Sequence, residues 1–535
     1  MLGAYTGAAI RAAEEPLLAK GRGADLMRRA AHGLAVHLVR LLRSRRGGVY
    51  GARIVVLAGT GNNGGDALFA AAELIRRGAR ATAVRTAGRI HTDAAAAFAR
   101  AGGRFLTLED SGPEDSGPED GEAGDGGPGI AAALREARGA DIILDGLLGT
   151  GAGGALRGPA AALVRALADG PLHAAVVACD LPSGVDADTG TAAGAVLPAD
   201  LTVTFGGAKL GLLAAAGESL AGRLEVVGIG LDLPAADLLR LQAADIAALL
   251  PVPERSSHKY TRGVLGIVAG SARYPGAAQL CASAAADTGT GMVRYLGPGA
   301  VATLIHAGTP EAVCSGGTVA DSRVQAWLVG PGIDGDDGQL RRAADALASG
   351  LPVAADAGAL SVLPERVGPH VVLTPHAGEL AALFAARGVV LDRAGVERDP
   401  VAAARRAARL TGATVLLKGA TTVVAGPTGP VFSQSEGTPW LSTAGSGDTL
   451  AGILGALMAS LAHEDGRFAA AGIGGDTRWA VIAAMAASIH GRAGSAAGGG
   501  GPLRATAVAA AVPGVIADLL RGRAGGGQRA KPVRY

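Results

Sequence analysis

The stretch Thr443-Ala444-Gly445-Ser446-Gly447-Asp448-Thr449 sets two glycines, a hydroxyl and a carboxylate side by side, directly before an apolar run from Leu450 to Leu461 that reads as a helix. Residues 445–448 then lie at a helix N-terminus, where unpaired N–H groups and the positive end of the dipole bind anions. Glycines at 445 and 447 let a phosphate come close to the backbone. Asp448, beside that anion, is placed to take a proton from a hydroxyl attacking phosphorus, the base role in phosphoryl transfer. Alone, the string also describes a turn whose Asp caps the helix.

Three other places gather oxygen-bearing side chains. Arg53 to Leu57 reads as a buried strand that runs into Ala58-Gly59-Thr60-Gly61-Asn62-Asn63-Gly64-Gly65-Asp66, with helical Ala67 to Arg77 behind it. The strand Asp141 to Leu144 ends in Asp145, and the strand Ala174 to Cys179 ends in Asp180-Leu181-Pro182-Ser183. Oxygen donors from several loops suit a hard cation without identifying which one. Taken singly, each Asp is equally a helix cap or an Asx turn.

In the second half, strands at Val264–Ala269, Met292–Leu296, Ala326–Val329, Pro352–Ala355, Val371–Leu373, Thr414–Leu417 and Thr422–Ala425 end in a further set of loops. These carry Gly330-Pro331-Gly332, Asp356, Thr374-Pro375-His376-Ala377-Gly378-Glu379 and Lys418-Gly419-Ala420-Thr421-Thr422. Lys418 suits a phosphate, as a point charge near backbone donors. His376 reads as a helix cap or a ligand contact. His490 and Glu464 to Arg478 read as structural or inserted.

Repeated strand-loop-helix units with polar strand exits indicate α/β layering around parallel, doubly wound sheets. Residues 5–45 read as helical, Ala81 to Val84, Leu201 to Phe205 and Leu224 to Ile229 as strands, and Thr92 to Ala101 as a helix. Residues 110–129, with Asp-Ser-Gly-Pro-Glu in tandem, are too acidic and Pro/Gly-rich to bury a core and are expected to be a disordered surface insertion. At 535 residues the chain is expected to hold two or more domains, with a linker over 234–257. Hydrophobic residues at 49% and charged residues at 18% are globular values, and a net charge of +2 without a basic stripe excludes a nucleic-acid footprint. Cys179, Cys281 and Cys314 lie far apart, without ligand spacing, as in a reducing compartment. With no signal-like start and no evident membrane span, a cytoplasmic protein is expected.

The first half, through Gly61-Asn62-Asn63-Gly64-Gly65-Asp66, Asp145 with Gly149-Thr150-Gly151, and Asp180-Leu181-Pro182-Ser183-Gly184-Val185-Asp186, resembles the NAD(P)H-hydrate epimerase family. The second half, through Gly330-Pro331-Gly332, Thr374 to Glu379, Lys418-Gly419 and Ala444 to Asp448, resembles the ADP-dependent NAD(P)H-hydrate dehydratase family. The resemblance implies a Rossmann-like epimerase domain over 1–233, a ribokinase-like dehydratase domain over 258–525, and a tail over 526–535. It implies potassium at Asn63, Asp145 and Ser183. The hydrated cofactor would be held by Asn62, Asn63, Gly64, Gly65, Asp66, Gly149, Thr150, Gly151, Ala152, Gly153, Gly154, Ala155 and Asp180. Asp180 would be the acid/base group that lets the ring hydroxyl leave and return on the other face. In the second domain Ala277, Gly332, His376 and Asp448 would contact the S-hydrate. Lys418, Gly419, Ala420, Thr421, Thr422, Gly445, Ser446 and Gly447 would contact ADP, which brings Mg2+.

The implied activity is epimerisation of R- and S-NADHX or NADPHX and dehydration of the S form, with ADP giving AMP and phosphate. The implied partners are these small molecules, with no nucleic acid or membrane, in a homo-oligomer. Two positions depart from the family patterns: Ala67 replaces a Gly after Asp66, and Gly358 stands where an acidic residue is common. The alternative is a ribokinase-like small-alcohol kinase with a non-catalytic N-terminal binding module.

Overall fold

The computed structural model describes residues 1–86, 89–108, 128–151, 154–333 and 335–526, and its contacts divide the chain into two units. One unit is Gly3–Asp237, and the other is Leu238 onward together with Met1–Leu2.

The first unit is built on a seven-stranded sheet. Its strands are β1 (Arg53–Ala58), β2 (Arg80–Arg85), β3 (Arg104–Thr107), β4 (Ile142–Gly146), β5 (Ala175–Cys179), β6 (Leu201–Phe205) and β7 (Arg223–Val227). They are all parallel, in the order β3-β2-β1-β4-β5-β6-β7. Continuous apolar runs such as Ile54 to Ala58 are buried on both faces, as a parallel sheet covered on both sides requires. One core lies under the helices Gly23–Arg46, Asn62–Ile75 and Thr92–Arg100. The other lies under Pro128–Arg138 and Gly158–Ala168. The strand order reverses between β1 and β4, the crevice where open α/β sheets bind ligands.

In the second unit the strands are β8 (Leu238–Arg240), β9 (Val264–Val268), β10 (Met292–Leu296), β11 (Val313–Ser315), β12 (Ala326–Val329), β13 (Val353–Ala355), β14 (Val371–Leu373), β15 (Thr414–Leu417), β16 (Thr422–Ala425) and β17 (Val431–Gln434). Their order is β11-β10-β9-β12-β13-β14-β15-β16-β17-β8. The run from β11 to β15 is parallel, and β15-β16-β17 is antiparallel. The helices Pro275–Thr288, Ser446–Leu461, Thr477–Gly498 and Ala505–Gly526 supply much of one large core.

Several sequence expectations change here. Residues 5–45 are not one helix: a strand Leu2–Tyr5 precedes helices Gly7–Leu18 and Gly23–Arg46, broken where Gly21 turns left-handed at φ 72°. The expected linker 234–257 contains β8 and the helix Ala243–Leu249, because Leu241, Ile246, Leu249 and Leu250 bury their side chains in the second unit. The acidic segment 110–129 lies mostly outside the described residues, but its last two, Pro128 and Gly129, already belong to a helix. The segment Glu464 to Arg478 is mostly exposed but anchored: Phe468 in the helix Asp465–Ala470 is 1% exposed, and Ile473 is buried with it. Among the described residues one helix, Ala505–Arg523, is long and apolar enough to cross a membrane, although none was expected. Its Val508, Val512, Val515 and Leu519 instead pack into the core of the unit.

Candidate active sites

In the first unit a cavity of about 410 Å³ opens at the carboxyl ends of β1, β4, β5 and β6. The loop after β1 turns tightly enough that a Cβ on Gly59 would lie 1.9 Å from the Leu147 carbonyl oxygen, and one on Gly64 would lie 2.3 Å from that of Gly59. That closeness starts the helix at Asn62, inside the expected loop, and turns its first residues toward the cavity. Asn62, Asn63, Asp66, Gly149, Thr150, Gly151 and Asp180 all line it. Gly64 and Gly65 are buried behind them. Gly154 and Ala155 are not in the lining, and Ala152 and Gly153 lie outside the described residues.

Asp180 follows β5 with a left-handed φ of 69°, a strained conformation for a non-glycine residue. Its Oδ1 accepts from the Lys209 ammonium and from Thr204 Oγ1 at 3.0 Å, and its Oδ2 from the Thr150 hydroxyl. Lys209 also donates to Thr204 Oγ1 and the Phe205 carbonyl, each at 3.0 Å. Burial pushes the Asp180 carboxyl up, but the Lys209 charge and these donors outweigh it and hold it below the usual range. Asp66 is driven the other way, well above the usual range, by burial and then by the charges of Asp180 and Glu14. Its Oδ1 is buried and has no hydrogen-bond partner among the described residues. The two carboxyls are thus pushed in opposite directions, the split that separates an acid from a base. Lys209, Glu14 and Thr204 had been missed. The signal for Lys209 was Gly206-Gly207-Ala208-Lys209, a further strand exit directly after Leu201 to Phe205.

Behind the cavity, the Asp145 carboxylate accepts from Ser183 Oγ at 2.6 Å, Ser183 N at 2.9 Å and Leu147 N at 3.2 Å. Asn63 Nδ2 donates to the Leu148 carbonyl at 2.8 Å. The three residues expected to share a cation are therefore brought together, and among the described residues Asp145 has no ion pair. Burial raises its proton affinity despite those bonds.

In the second unit a cavity of about 650 Å³ is lined by Lys418, Gly419, Ala420, Thr422, Ser446, Gly447 and His376. Thr421 is buried beside it, and Gly445 caps the helix Ser446–Leu461 with φ 87°, backed by Leu280. The anion site read from the sequence is therefore a true helix N-terminus. Lys418 Nζ lies 2.8 Å from Asp356 Oδ1 and 3.7 Å from Glu379 Oε2. His376 caps the helix Ala377–Ala386: its Nδ1 accepts from Gly378 N and Glu379 N at 3.1 and 3.2 Å. The His376 side chain is 59% exposed and lines the cavity, so the cap reading holds and the ring is open to a ligand. Gly332, left-handed at φ 66°, packs so closely on Ala277 that a Cβ would lie 2.7 Å from the alanine's. The helix carrying Ala277 runs past Asp448, and Cys281 Sγ donates to the Asp448 carbonyl at 3.4 Å. Burial and then the Asp356 charge push the Asp448 carboxyl up to about 6, with Lys418 opposing. His490, read as structural, lines this cavity, with Nε2 3.2 Å from Ser446 Oγ; burial pushes it down to about 4, so the ring is neutral.

Two family models match the chain: that described as YjeF-related protein N-terminus over residues 23–211, and NAD(P)H-hydrate dehydratase over 265–500. The bifunctional NAD(P)H-hydrate repair enzyme Nnr of Mycobacterium tuberculosis is 44% identical over 464 residues, covering 85% of this chain and 89% of that protein. The chain belongs to the bifunctional NAD(P)H-hydrate repair enzyme family. The repair enzyme Nnr of Moorella thermoacetica is 34% identical over 488 residues, covering 84% of each chain. The NAD(P)H-hydrate epimerase of Clavibacter michiganensis is 46% identical over 241 residues, 43% of this chain and 92% of its own. In this repair-enzyme family both halves are matched together, which disfavours a small-alcohol kinase with an idle first module.

Proposed function

We propose that the first unit interconverts the R and S hydrates of NADH and NADPH, and that the second dehydrates the S hydrate while ADP becomes AMP and phosphate. The observation that carries the reading is Asp448 on the first turn of a helix N-terminus, with the Lys418 ammonium against Gly447. Asp448 takes the proton of the ring hydroxyl, and its oxygen attacks the β-phosphorus as the bond to AMP breaks. The amides at the helix start and Lys418 hold the developing charge. Phosphate then leaves with the C–O electrons, the ring nitrogen supplies its lone pair, and loss of a proton from the adjacent carbon restores the dihydronicotinamide. His376, Ala277 and Gly332 face the substrate, and Lys418 to Thr422 with Gly445, Ser446 and Gly447 hold ADP. Magnesium comes with the nucleotide and neutralises phosphate charge. Among the described residues no group of three His, Cys, Asp or Glu side chains forms a cage for it.

In the first unit Asp66 gives a proton to the hydroxyl, which leaves as water with the C–O electrons while the ring nitrogen supplies its lone pair; Asp180 accepts a proton from the water that adds to the other face, and exchange with solvent returns both carboxyls to their starting state. Asn62 to Asp66 and Gly149 to Gly151 hold the substrate. The oxygen-only set of Asn63, Asp145, Ser183 and the Leu148 carbonyl, around a buried carboxylate with no ion pair among the described residues, fits potassium. The ion would supply the missing counter-charge and fix the two loops. A cytoplasmic setting fits three cysteines held as free thiols.

The test follows dihydronicotinamide absorbance when the chain meets mixed R- and S-NADHX with ADP, magnesium and potassium. Conversion of both epimers faster than they interconvert unaided is expected. Conversion that stalls at the S fraction removes the epimerase, and none with any nucleotide removes the whole reading.

A further inference from the structure

Asp356 is a buried carboxylate of the second unit with no role in the chemistry above. It leaves β13 only 3% exposed, with Oδ1 bonded to Lys418 Nζ at 2.8 Å. Glu379 approaches the same ammonium at 3.7 Å. The ammonium in turn lies against the helix start, where a Cβ on Gly447 would be 3.6 Å from Nζ. The turn Ala357–Val362 that follows takes no side-chain cap from Asp356, so Lys418 is the group its carboxylate serves.

The backbone is strained to keep it there. Among the described residues, Asp180, Ala215 and Ala357 are the non-glycine positions with positive φ, and Ala357 at 44° directly follows Asp356. Across from it Gly330, at φ 116°, lies so close that a Cβ would be 1.8 Å from the Asp356 carbonyl oxygen. Strain of this kind persists only where the surroundings over-determine the position, and it clusters at working sites.

We propose that Asp356 is a positioning residue for the dehydration: it clamps the Lys418 ammonium over Gly447, where the transferred phosphoryl group arrives, and joins Lys418 and Asp448 into one charge-coupled unit. The proposal rests on the dehydratase reading. The groups that face this unit are Asp356 and Lys418 themselves, Glu379 on Lys418, the neutral His490, and the Cys281 thiol, which burial keeps protonated. Asp356 opposes ionisation of Asp448 and Lys418 favours it.

The full chain, Asp356→Asn and Lys418→Met are compared in two ways: by the pH dependence of ADP-driven conversion of S-NADHX, and by infrared titration of the Asp448 carboxyl, whose band Asp448→Asn identifies. The wild-type midpoint is expected at about 6. In Asp356→Asn it falls by about one pH unit and turnover drops about tenfold, because an opposing charge is gone and the ammonium is no longer fixed. In Lys418→Met the midpoint rises, since Asp356 is left uncompensated. A role confined to folding would reduce the amount of native protein and leave both midpoints in place. If Asp356→Asn does not fold, an unmoved midpoint in Lys418→Met overturns the coupling. An active chain with unmoved midpoints overturns the positioning role alone, whereas an inactive chain whose infrared midpoints move as stated keeps the coupled unit and overturns the dehydratase reading.

Discussion

Replacing Lys209 by methionine removes the counter-charge of a fully buried carboxylate. Lys209 is 1% and Asp180 7% exposed, and Lys209 is the cation that lowers the proton affinity of Asp180. Methionine keeps most of the volume, so the change acts on charge rather than packing. Removing one partner of a buried ion pair costs about 3–5 kcal/mol. For a unit of this size each kcal/mol moves the midpoint by about 2–4 °C, so the loss is about 6–20 °C. The pH dependence carries a sign. In the native chain the Asp180 carboxyl is held below its unfolded value, so its stabilisation is present above that value and is lost as pH falls through the folded one. In the variant burial is opposed only by the Thr150 and Thr204 hydroxyls and raises the folded value above the unfolded one. The deficit is then largest at neutral pH and shrinks toward acid as Asp180 takes up a proton. The three tryptophans, Trp327, Trp440 and Trp479, all lie in the second unit. Calorimetry therefore reports both units and tryptophan fluorescence reports one. Lys209→Met should lower a calorimetric transition by that amount, lose epimerase activity by about 10²–10⁴-fold, and regain stability but not activity when combined with Asp180→Asn. A transition that stays within about 2 °C at neutral pH, or a deficit that does not change toward acid, refutes the reasoning.

Asp448→Asn should cut dehydration by about 10²–10⁴-fold while epimerisation is retained. In the native chain, turnover should fall as pH drops through about 6, because burial and Asp356 hold the Asp448 proton there and only the ionised form accepts another; a pH–rate profile checks both. Gly59→Ala drives a methyl group to 1.9 Å from the Leu147 carbonyl, so the loop after β1 must shift. Epimerase activity and the first unit's thermal transition should both fall while ADP-dependent turnover of pure S hydrate holds. His490→Phe leaves the Ser446 hydroxyl without its ring partner in the nucleotide cavity and should weaken ADP binding by about tenfold, the size of one lost buried hydrogen bond. Because burial keeps the native ring neutral down to about 4, that loss should be the same from mildly acid to alkaline pH in a calorimetric titration.

Most strands could be placed from sequence because a parallel strand covered on both faces needs a local apolar run, as in Arg53–Ala58 or Leu201–Phe205. Short strands at the sheet margins, Arg104–Thr107 and Val313–Ser315, lack such a run and were missed. The chain also determined by itself the helix start at Gly445 to Asp448, since glycines, a hydroxyl and an apolar run are neighbours in sequence. Partners far along the chain were left to the tertiary structure. Lys209 meets Asp180 across 29 residues, His490 meets Ser446 across 44, and Lys418 meets Asp356 across 62. No local pattern separates these side chains from surface ones. What decides protonation is burial and the sign of the nearest charge, and both come into being only when the strand ends are packed together.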